Sequence, residues 1–170
     1  MAKIIQVKNK ILREKAKEVP VKDIGSEKLK KILGEMTKTL CAAKDGVALA
    51  APQIGVSLRI FMVKKETFNA KTDAQTKPIG TNSLLVFINP KIIKISKKKQ
   101  TVSEGCLSVN GIYGVIKRAE KITVEALDEK GRKFTRGAAG LMAQIIQHEI
   151  DHLNGVLFID KAINLLKTRK

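Results

Sequence analysis

Both histidines of this 170-residue chain lie in one short window, His148-Glu149-Ile150-Asp151-His152. Histidines four residues apart on a helix project from the same face, so both rings can reach a single metal ion. Glu149 lies beside the two rings and could accept a proton from water that the metal activates. The spacing therefore predicts a metallohydrolase centre, and the alternative is two solvated or packing histidines that share a helix face.

A catalytic site of this type needs a third protein ligand, because one coordination position is left for water. One class of HExxH proteases supplies a third histidine after a glycine, but here Gly155 is followed by Phe158 at that position. Another class uses a downstream glutamate, and Glu149 is the last glutamate of the chain. The third ligand must therefore lie upstream of the motif.

The two cysteines of the chain are both upstream and differ in their surroundings. Cys41 lies in a stretch with the apolar spacing of an amphipathic helix, which predicts a packing role. Cys106 lies in a short extended segment in which Gly105 allows a close approach of backbone or ligand. A thiolate there could complete a Cys-His-His set, although an inert buried thiol is the commoner fate of a lone cysteine. A disulfide between the two is disfavoured in a chain that shows no secretory segment.

Three segments resemble the signature motifs of peptide deformylases and occur in the order of that family. They are GVALAAPQ (residues 46–53), EGCLS (104–108) and QHEIDH (147–152). The HExxH core alone occurs in unrelated folds, but three motifs in order are specific, and the similarity spans most of the chain. The resemblance implies a metal-dependent hydrolase that removes the N-formyl group from the initiator methionine of nascent polypeptides and releases formate.

The resemblance also implies the ligands and the catalytic base. The metal is held by Cys106, His148 and His152, and Glu149 is the general base that later delivers its proton to the departing amine. Ligand type alone leaves zinc, iron, cobalt and nickel open. The family implies one divalent ion, Fe2+ in the cell, which Zn2+, Ni2+ or Co2+ can replace.

Two further sets of residues follow from the resemblance. The oxyanion formed during attack is stabilised by the metal, the Gln53 side-chain amide and the Leu107 backbone N–H. The peptide binds by strand addition along Gly46, Val47 and Ala48. From the residues alone, Gln53 could also be an exposed polar group of a loop.

The chain departs from the family pattern at two positions of this groove. Ala48 stands where glycine is usual, and its methyl group is expected to narrow the groove or shift the peptide. Asn110 stands where proline is usual, which loosens the same wall. Both changes bear on substrate affinity and leave the metal ligands intact.

Residue periodicity predicts the elements that position the site. Amphipathic helices are predicted over Ser26–Lys44 and Gly137–His152, and the apolar stripe of the second helix continues into both histidines. Strands are predicted over Leu58–Val63, Leu84–Asn89, Ile92–Ser96 and Lys121–Leu127, with a turn at 128–131 and a return through 133–135. We therefore expect one α+β domain over residues 1–170, with antiparallel or mixed sheets packed on a central metal-binding HExxH helix.

Two remaining segments have weaker signals. Phe68–Ser83 is polar and contains Pro78 and Gly80, which predicts a surface loop. Phe158–Lys167 has apolar residues at helical spacing, which predicts a short terminal helix.

The chain is strongly basic, with 33 basic and 16 acidic residues and a formal net charge of +17. Lysines cluster at Lys94, Lys97, Lys98 and Lys99. Such a field attracts polyanions, and the resemblance makes ribosomal RNA a candidate partner. The alternative is a generally basic, solvated surface, and the scarcity of aromatic residues argues against base-stacking platforms.

The N-terminal residues are charged too early to resemble a signal peptide, and no apolar stretch approaches membrane-spanning length. We expect no membrane partner and a cytoplasmic enzyme of the bacterial type. Two other functions stay open at this level: a zinc-type endopeptidase, and a non-catalytic relative that binds nascent peptides or RNA. The missing third-ligand patterns disfavour the first, and the intact ligands with Glu149 and Gln53 disfavour the second.

Overall fold

A computed structural model describes residues 1–68 and 83–167 of the chain. The predicted surface loop between Phe68 and Ser83 lies outside the described residues, apart from its two ends. Among the described residues, none of the helices combines the length and apolar character needed to cross a membrane.

The described residues form two α-helices and eight strands. The helices are α1 (Glu27–Ala42) and α2 (Gly140–Leu153), and the strands are β1 (Ala48–Ala50), β2 (Ile60–Lys64), β3 (Leu84–Ile95), β4 (Lys99–Cys106), β5 (Val109–Ala119), β6 (Lys121–Leu127), β7 (Lys133–Ala139) and β8 (Asn164–Lys167). One sheet has the order β1-β2-β3-β6-β7 and the other the order β4-β5-β8, and neighbouring strands pair antiparallel in both. The expectation of an α+β fold with antiparallel sheets is confirmed.

Helix α1 begins where the sequence predicts it. The Ser26 side chain accepts a hydrogen bond from the Leu29 backbone N–H, which satisfies one of the free donors of the first turn. Leu29, Met36 and Leu40 lie on one face and are buried against β1 and β2. The helix ends at Ala42, two residues before the predicted end.

The two strands predicted over Leu84–Asn89 and Ile92–Ser96 form the single strand β3. Asn89 adopts a left-handed backbone conformation with a φ of 51°, and the pairing register with β6 shifts between Ile88 and Lys91. Pro90 follows directly and has no N–H to donate. The sequence signal for a break therefore corresponds to an irregularity within one strand.

Helix α2 begins three residues later than predicted, because β7 continues through Ala139. Gly140 turns the chain into the helix with a φ of +56°. The helix contacts β1, β2, β6 and β7 of the larger sheet and β5 of the smaller one. Met142, Ile146 and Leu153 are buried in the main hydrophobic cluster, so α2 is fixed by packing on several sides.

The prediction of a terminal helix over Phe158–Lys167 is wrong. Phe158–Asp160 forms one 3-10 turn, and Asn164–Lys167 forms β8, which pairs with β5. Backbone pairing with β5 provides hydrogen-bond partners for this segment. Its leucines stay exposed, so the apolar residues at helical spacing do not form a buried face. The long β4–β5 hairpin was also not predicted as such.

Candidate metal centre

The three predicted metal ligands meet where the end of β4 faces α2. Cys106 is the last residue of β4, while His148 and His152 lie one turn apart on α2. The Sγ atom of Cys106 is 3.1 Å from Nε2 of His152, and the three potential donor atoms lie within 4.8 Å of one another. The structure therefore brings together the sulfur and the two rings that the sequence predicts as one ligand set.

Gln147 fixes α2 against β5 directly before the first histidine. Its side-chain amide accepts a hydrogen bond from the Ala119 N–H at 3.0 Å and donates one to the Ala119 carbonyl at 3.0 Å. It also donates to the Ala143 carbonyl one turn earlier in α2. The glutamine side chain thus bonds to both backbone groups of Ala119, as a neighbouring strand would, and holds this turn of the helix in place against the smaller sheet.

A buried carboxylate orients His148. Glu104 Oε2 lies 2.9 Å from Nδ1 of His148, which leaves the other ring nitrogen available for a metal. Arg118 donates to both oxygens of Glu104, at 2.7 and 2.9 Å, in a bidentate pair. Glu104 is 5% and Arg118 is 3% exposed, so each buried charge is compensated by the other.

Asp151 extends this network away from the metal site. It accepts hydrogen bonds from Arg118 at 2.6 Å and from the Lys161 amine at 2.6 Å. It is 9% exposed, and its contacts are with the two cations, so it supports the metal site through Arg118.

Glu104 and Glu149 have different pKa values because their surroundings differ. Burial raises the pKa of Glu104, but hydrogen bonds from Arg118 and His148 outweigh burial and lower the pKa to about 2. For Glu149 burial dominates and raises the pKa to about 7, against the attraction of His148. Glu104 is therefore a fixed negative charge, whereas Glu149 can exchange a proton near neutral pH.

The pKa values of the two imidazoles also differ. Burial lowers the pKa of His148, but hydrogen bonds to Cys106 and Glu104 raise it to about 10. Burial and the positive charge of His148 lower the pKa of His152 well below its usual value. Histidine binds a metal as the neutral ring, so a cation held at this cluster would have to compete with the proton on His148.

The site has the properties that a divalent cation requires. The donors are one sulfur and two imidazole nitrogens that converge on one point, a set that suits zinc and other late transition metals. Within residues 1–68 and 83–167, Glu149 Oε2 and His152 Nδ1 are buried without a hydrogen-bond partner. Unpaired buried polar atoms are costly, and a water held beside Glu149 Oε2 would satisfy that oxygen, so the residues present fit a bound metal.

Gln53 and Ser108 lie beside the sulfur. The Oε1 atom of Gln53 accepts a hydrogen bond from the Ala50 N–H at 2.8 Å, which fixes the amide orientation. Its Nε2 donates to Ser108 Oγ at 3.2 Å and to Cys106 Sγ at 3.5 Å. Gln53 is 2% exposed, so the alternative of an exposed loop residue is wrong. Ser108 is fully buried, and although it belongs to the EGCLS motif, sequence analysis assigns it no role in the site.

A cavity of about 450 Å3 opens onto Cys106, His148 and Glu149. One wall is formed by Gly46–Ala48, and Gly46 packs so closely that a β-carbon there would lie 3.0 Å from Leu107 Cδ1. The residues of α2 that precede His148 by one and two turns form another wall. Among the described residues, neither lysine nor arginine lines the cavity, despite the basic character of the chain.

Comparison with known proteins decides the family. The family model of polypeptide deformylases matches residues 1–168. The chain belongs to the peptide deformylase family. The peptide deformylase of Syntrophomonas wolfei is 48% identical over 160 residues, which cover 94% of this chain and 92% of that protein.

Solved deformylase structures share the fold. The structure from Thermotoga maritima matches with a TM-score of 0.81 at 34% identity and covers 96% of this chain and 99% of its own. The structure from Legionella pneumophila matches with a TM-score of 0.80 at 39% identity, over 95% of this chain and 85% of its own. These matches confirm the resemblance to peptide deformylases that rests on the three motifs.

The structure places all the residues predicted for the deformylase site in one region. Those that line the cavity are Gly46, Val47, Ala48, Gln53, Cys106, Leu107, His148 and Glu149. His152 lies behind them, 1% exposed and in contact with Cys106. The individual roles of these residues stay predictions.

Proposed function

We propose that residues 1–170 act as one catalytic domain that removes the N-formyl group from formylmethionyl peptides and releases formate. Membership of the deformylase family supports the reaction, and the match over residues 1–168 supports the single domain. Nascent polypeptides are the substrate class, so we place the activity in the cytoplasm. The observation that carries this proposal is the convergence of Cys106, His148 and His152 beside Glu149 at the floor of one cavity.

Cys106, His148 and His152 would hold the metal. A divalent ion held there would supply Lewis-acid chemistry for water and the formyl carbonyl. We propose Fe2+ in the cell, with Zn2+, Ni2+ or Co2+ able to replace it, because one thiolate and two imidazoles accommodate each of these ions. The hydrogen bond of Glu104 to His148 would keep that ring in the orientation for binding.

Glu149 would move the proton of the reaction. Its Oε2 accepts a proton from the attacking water and later gives it to the amine of methionine, so that the amide C–N bond breaks and formate leaves. The side-chain amide of Gln53 and the backbone N–H of Leu107 would donate hydrogen bonds to the developing oxyanion. The bond from Ala50 fixes the Gln53 amide in place before charge develops.

The peptide would bind along β1. This strand is at the edge of the larger sheet, so its outer side is available for pairing with an extended chain. Val47, directly before β1, is 42% exposed, whereas Ala48 is 7% exposed, packs in the main hydrophobic cluster and also lines the cavity. The methyl group of Ala48, in place of the usual glycine, would therefore form part of the groove wall on the side of β1.

Formate release tests the proposed reaction. We expect anaerobically prepared, metal-loaded protein to release formate from a formylmethionyl peptide and to leave the acetylated peptide uncleaved. Cleavage of an internal peptide bond without formate release would instead indicate an endopeptidase. A protein that cleaves neither peptide would be a binding module, and either result would contradict the proposed function.

We also propose that the basic surface associates with ribosomal RNA. Lys94 near the end of β3, Lys97 in the connection that follows, and Lys99 at the start of β4 are all exposed. Lysines on one surface attract phosphate, and the affinity should fall steeply with salt because bound counterions are released. The association would bring the enzyme close to its nascent substrates.

Charge reversal at this segment is expected to weaken ribosome binding. The triple variant Lys94→Glu, Lys97→Glu, Lys99→Glu should co-sediment with ribosomes less than the unmodified protein, and the difference should shrink as salt is raised. Reversal of Lys28, Lys31 and Lys38, which are exposed on α1, is the matched control with the same charge change. Equal loss in both triple variants would indicate a response to net charge alone and would contradict a specific surface.

A further inference from the structure

The N-terminal segment Ala2–Val7 is held against the protein along its length. The Ala2 N–H donates to Thr39 Oγ1 on α1 at 3.2 Å. Ile4 packs on the hydrophobic cluster that lies under α1 and β2, whereas Ile5 and Val7 pack on the cluster under the β4–β5 hairpin. The segment therefore contacts the cores on both sides of the candidate site.

Two hydrogen bonds from this segment reach residues of the site. The Ile5 N–H donates to the Gln53 carbonyl at 2.9 Å, and Gln6 Nε2 donates to the Leu107 carbonyl at 3.1 Å. Gln53 lies in the 3-10 turn that follows β1, and Leu107 lies in the turn between β4 and β5. Gln53 follows a strand of the larger sheet and Leu107 connects two strands of the smaller sheet, and the N-terminal segment is bonded to both residues.

We propose that Gln6 is a positioning residue for the oxyanion site, in that its hydrogen bond to the Leu107 carbonyl restrains the turn that holds the Leu107 N–H near the Gln53 amide. This inference rests on the proposed function, which assigns both donors. Donors stabilise an oxyanion only when they are in position before charge develops, and small displacements of such groups cost rate. Gln6 is exposed and does not line the cavity, so it acts through Leu107 and touches no substrate.

Three variants separate this role from a general effect on folding. Gln6→Met removes the donor at similar side-chain length, and Gln6→Lys restores a donor. Gln100→Met is the matched control, because Gln100 also donates its amide to a backbone carbonyl, that of Gly140 at 3.4 Å, away from the cavity. We expect Gln6→Met to lower kcat for formate release by about fivefold, the size that one hydrogen bond supports, with KM little changed. Gln6→Lys should recover most of the loss, and Gln100→Met should match the unmodified protein.

A second measurement does not depend on turnover. In zinc-loaded protein, the NMR order parameter of the Leu107 amide should fall in Gln6→Met and stay unchanged in Gln100→Met. If the unmodified protein releases no formate, the proposed function fails, whereas the order parameter still decides whether Gln6 holds Leu107. An unchanged order parameter at Leu107 in Gln6→Met would overturn the inference. Equal kcat for the Gln6→Met and Gln100→Met variants would also overturn it, as would no recovery in Gln6→Lys.

Discussion

Replacement of Glu149 by glutamine is expected to lower kcat for formate release by about 10²- to 10⁴-fold, the range that general acid–base catalysis supplies. Glutamine keeps the shape of the side chain but cannot accept a proton. Glu149 is 4% exposed, and burial raises its pKa to about 7, which suits a group that takes up and returns a proton at neutral pH. The metal content should be unchanged, because the proposed ligands are intact.

The measurement is steady-state turnover of a formylmethionyl peptide together with metal analysis of the same sample. Glu129→Gln is the control with the same chemical change, at an exposed position in the turn between β6 and β7. It should retain full activity. Activity of Glu149→Gln close to that of the control would show that another group moves the proton.

Replacement of Cys106 by serine is expected to weaken metal binding by at least about 100-fold, because a hard alcohol replaces a soft thiolate among the ligands. The Sγ atom of Cys106 also lies 3.1 Å from His152 Nε2 and accepts a hydrogen bond from Gln53 Nε2, so the loss acts on several groups of the site. Turnover should fall with metal content at limiting metal concentration.

Cys41→Ser is the matched control, since Cys41 is the other cysteine of the chain and lies on α1 outside the cavity. Neither cysteine forms a disulfide in the structure, so neither change breaks one. Titration with zinc against a competing chelator measures the affinity of each variant. A Cys106→Ser affinity equal to that of Cys41→Ser would exclude sulfur from the ligand set.

The sequence predicts the site better than the elements around it. The spacing of His148 and His152 follows directly from helix geometry, and the absence of downstream ligands restricts the third ligand to an upstream residue. Helix α1 and strand β6 are also predicted closely, because each has a regular apolar period and clear end signals.

The β4–β5 hairpin escapes prediction because its residues carry no simple alternation. The two strands are joined by a tight connection at Leu107–Ser108. Glu104 on β4 and Arg118 on β5 are both buried, although a sequence pattern assigns charged residues to the surface. Their burial depends on the pairing of one with the other across the two strands. Such partners lie far apart in the chain or on adjacent strands, and only the fold reveals them.

The same reason explains why sequence reasoning missed Gln6. Its side chain donates a hydrogen bond to Leu107, which lies 101 residues away in the chain. Ser108 belongs to the second signature motif, but its hydrogen bond to Gln53, 55 residues away, is likewise seen only in the fold. The C-terminal strand β8 is a further case, because pairing with β5 overrides the helical spacing of its own residues.

The metal site itself is tested most directly by X-ray absorption spectroscopy of zinc-loaded protein at the zinc edge. We predict one sulfur neighbour at about 2.3 Å and two imidazole nitrogens at about 2.0–2.1 Å. The Cys106→Ser variant should lose the sulfur contribution, and Cys41→Ser should keep it. A spectrum of the unmodified protein with no sulfur neighbour, or with a single imidazole, would contradict a centre built from Cys106, His148 and His152.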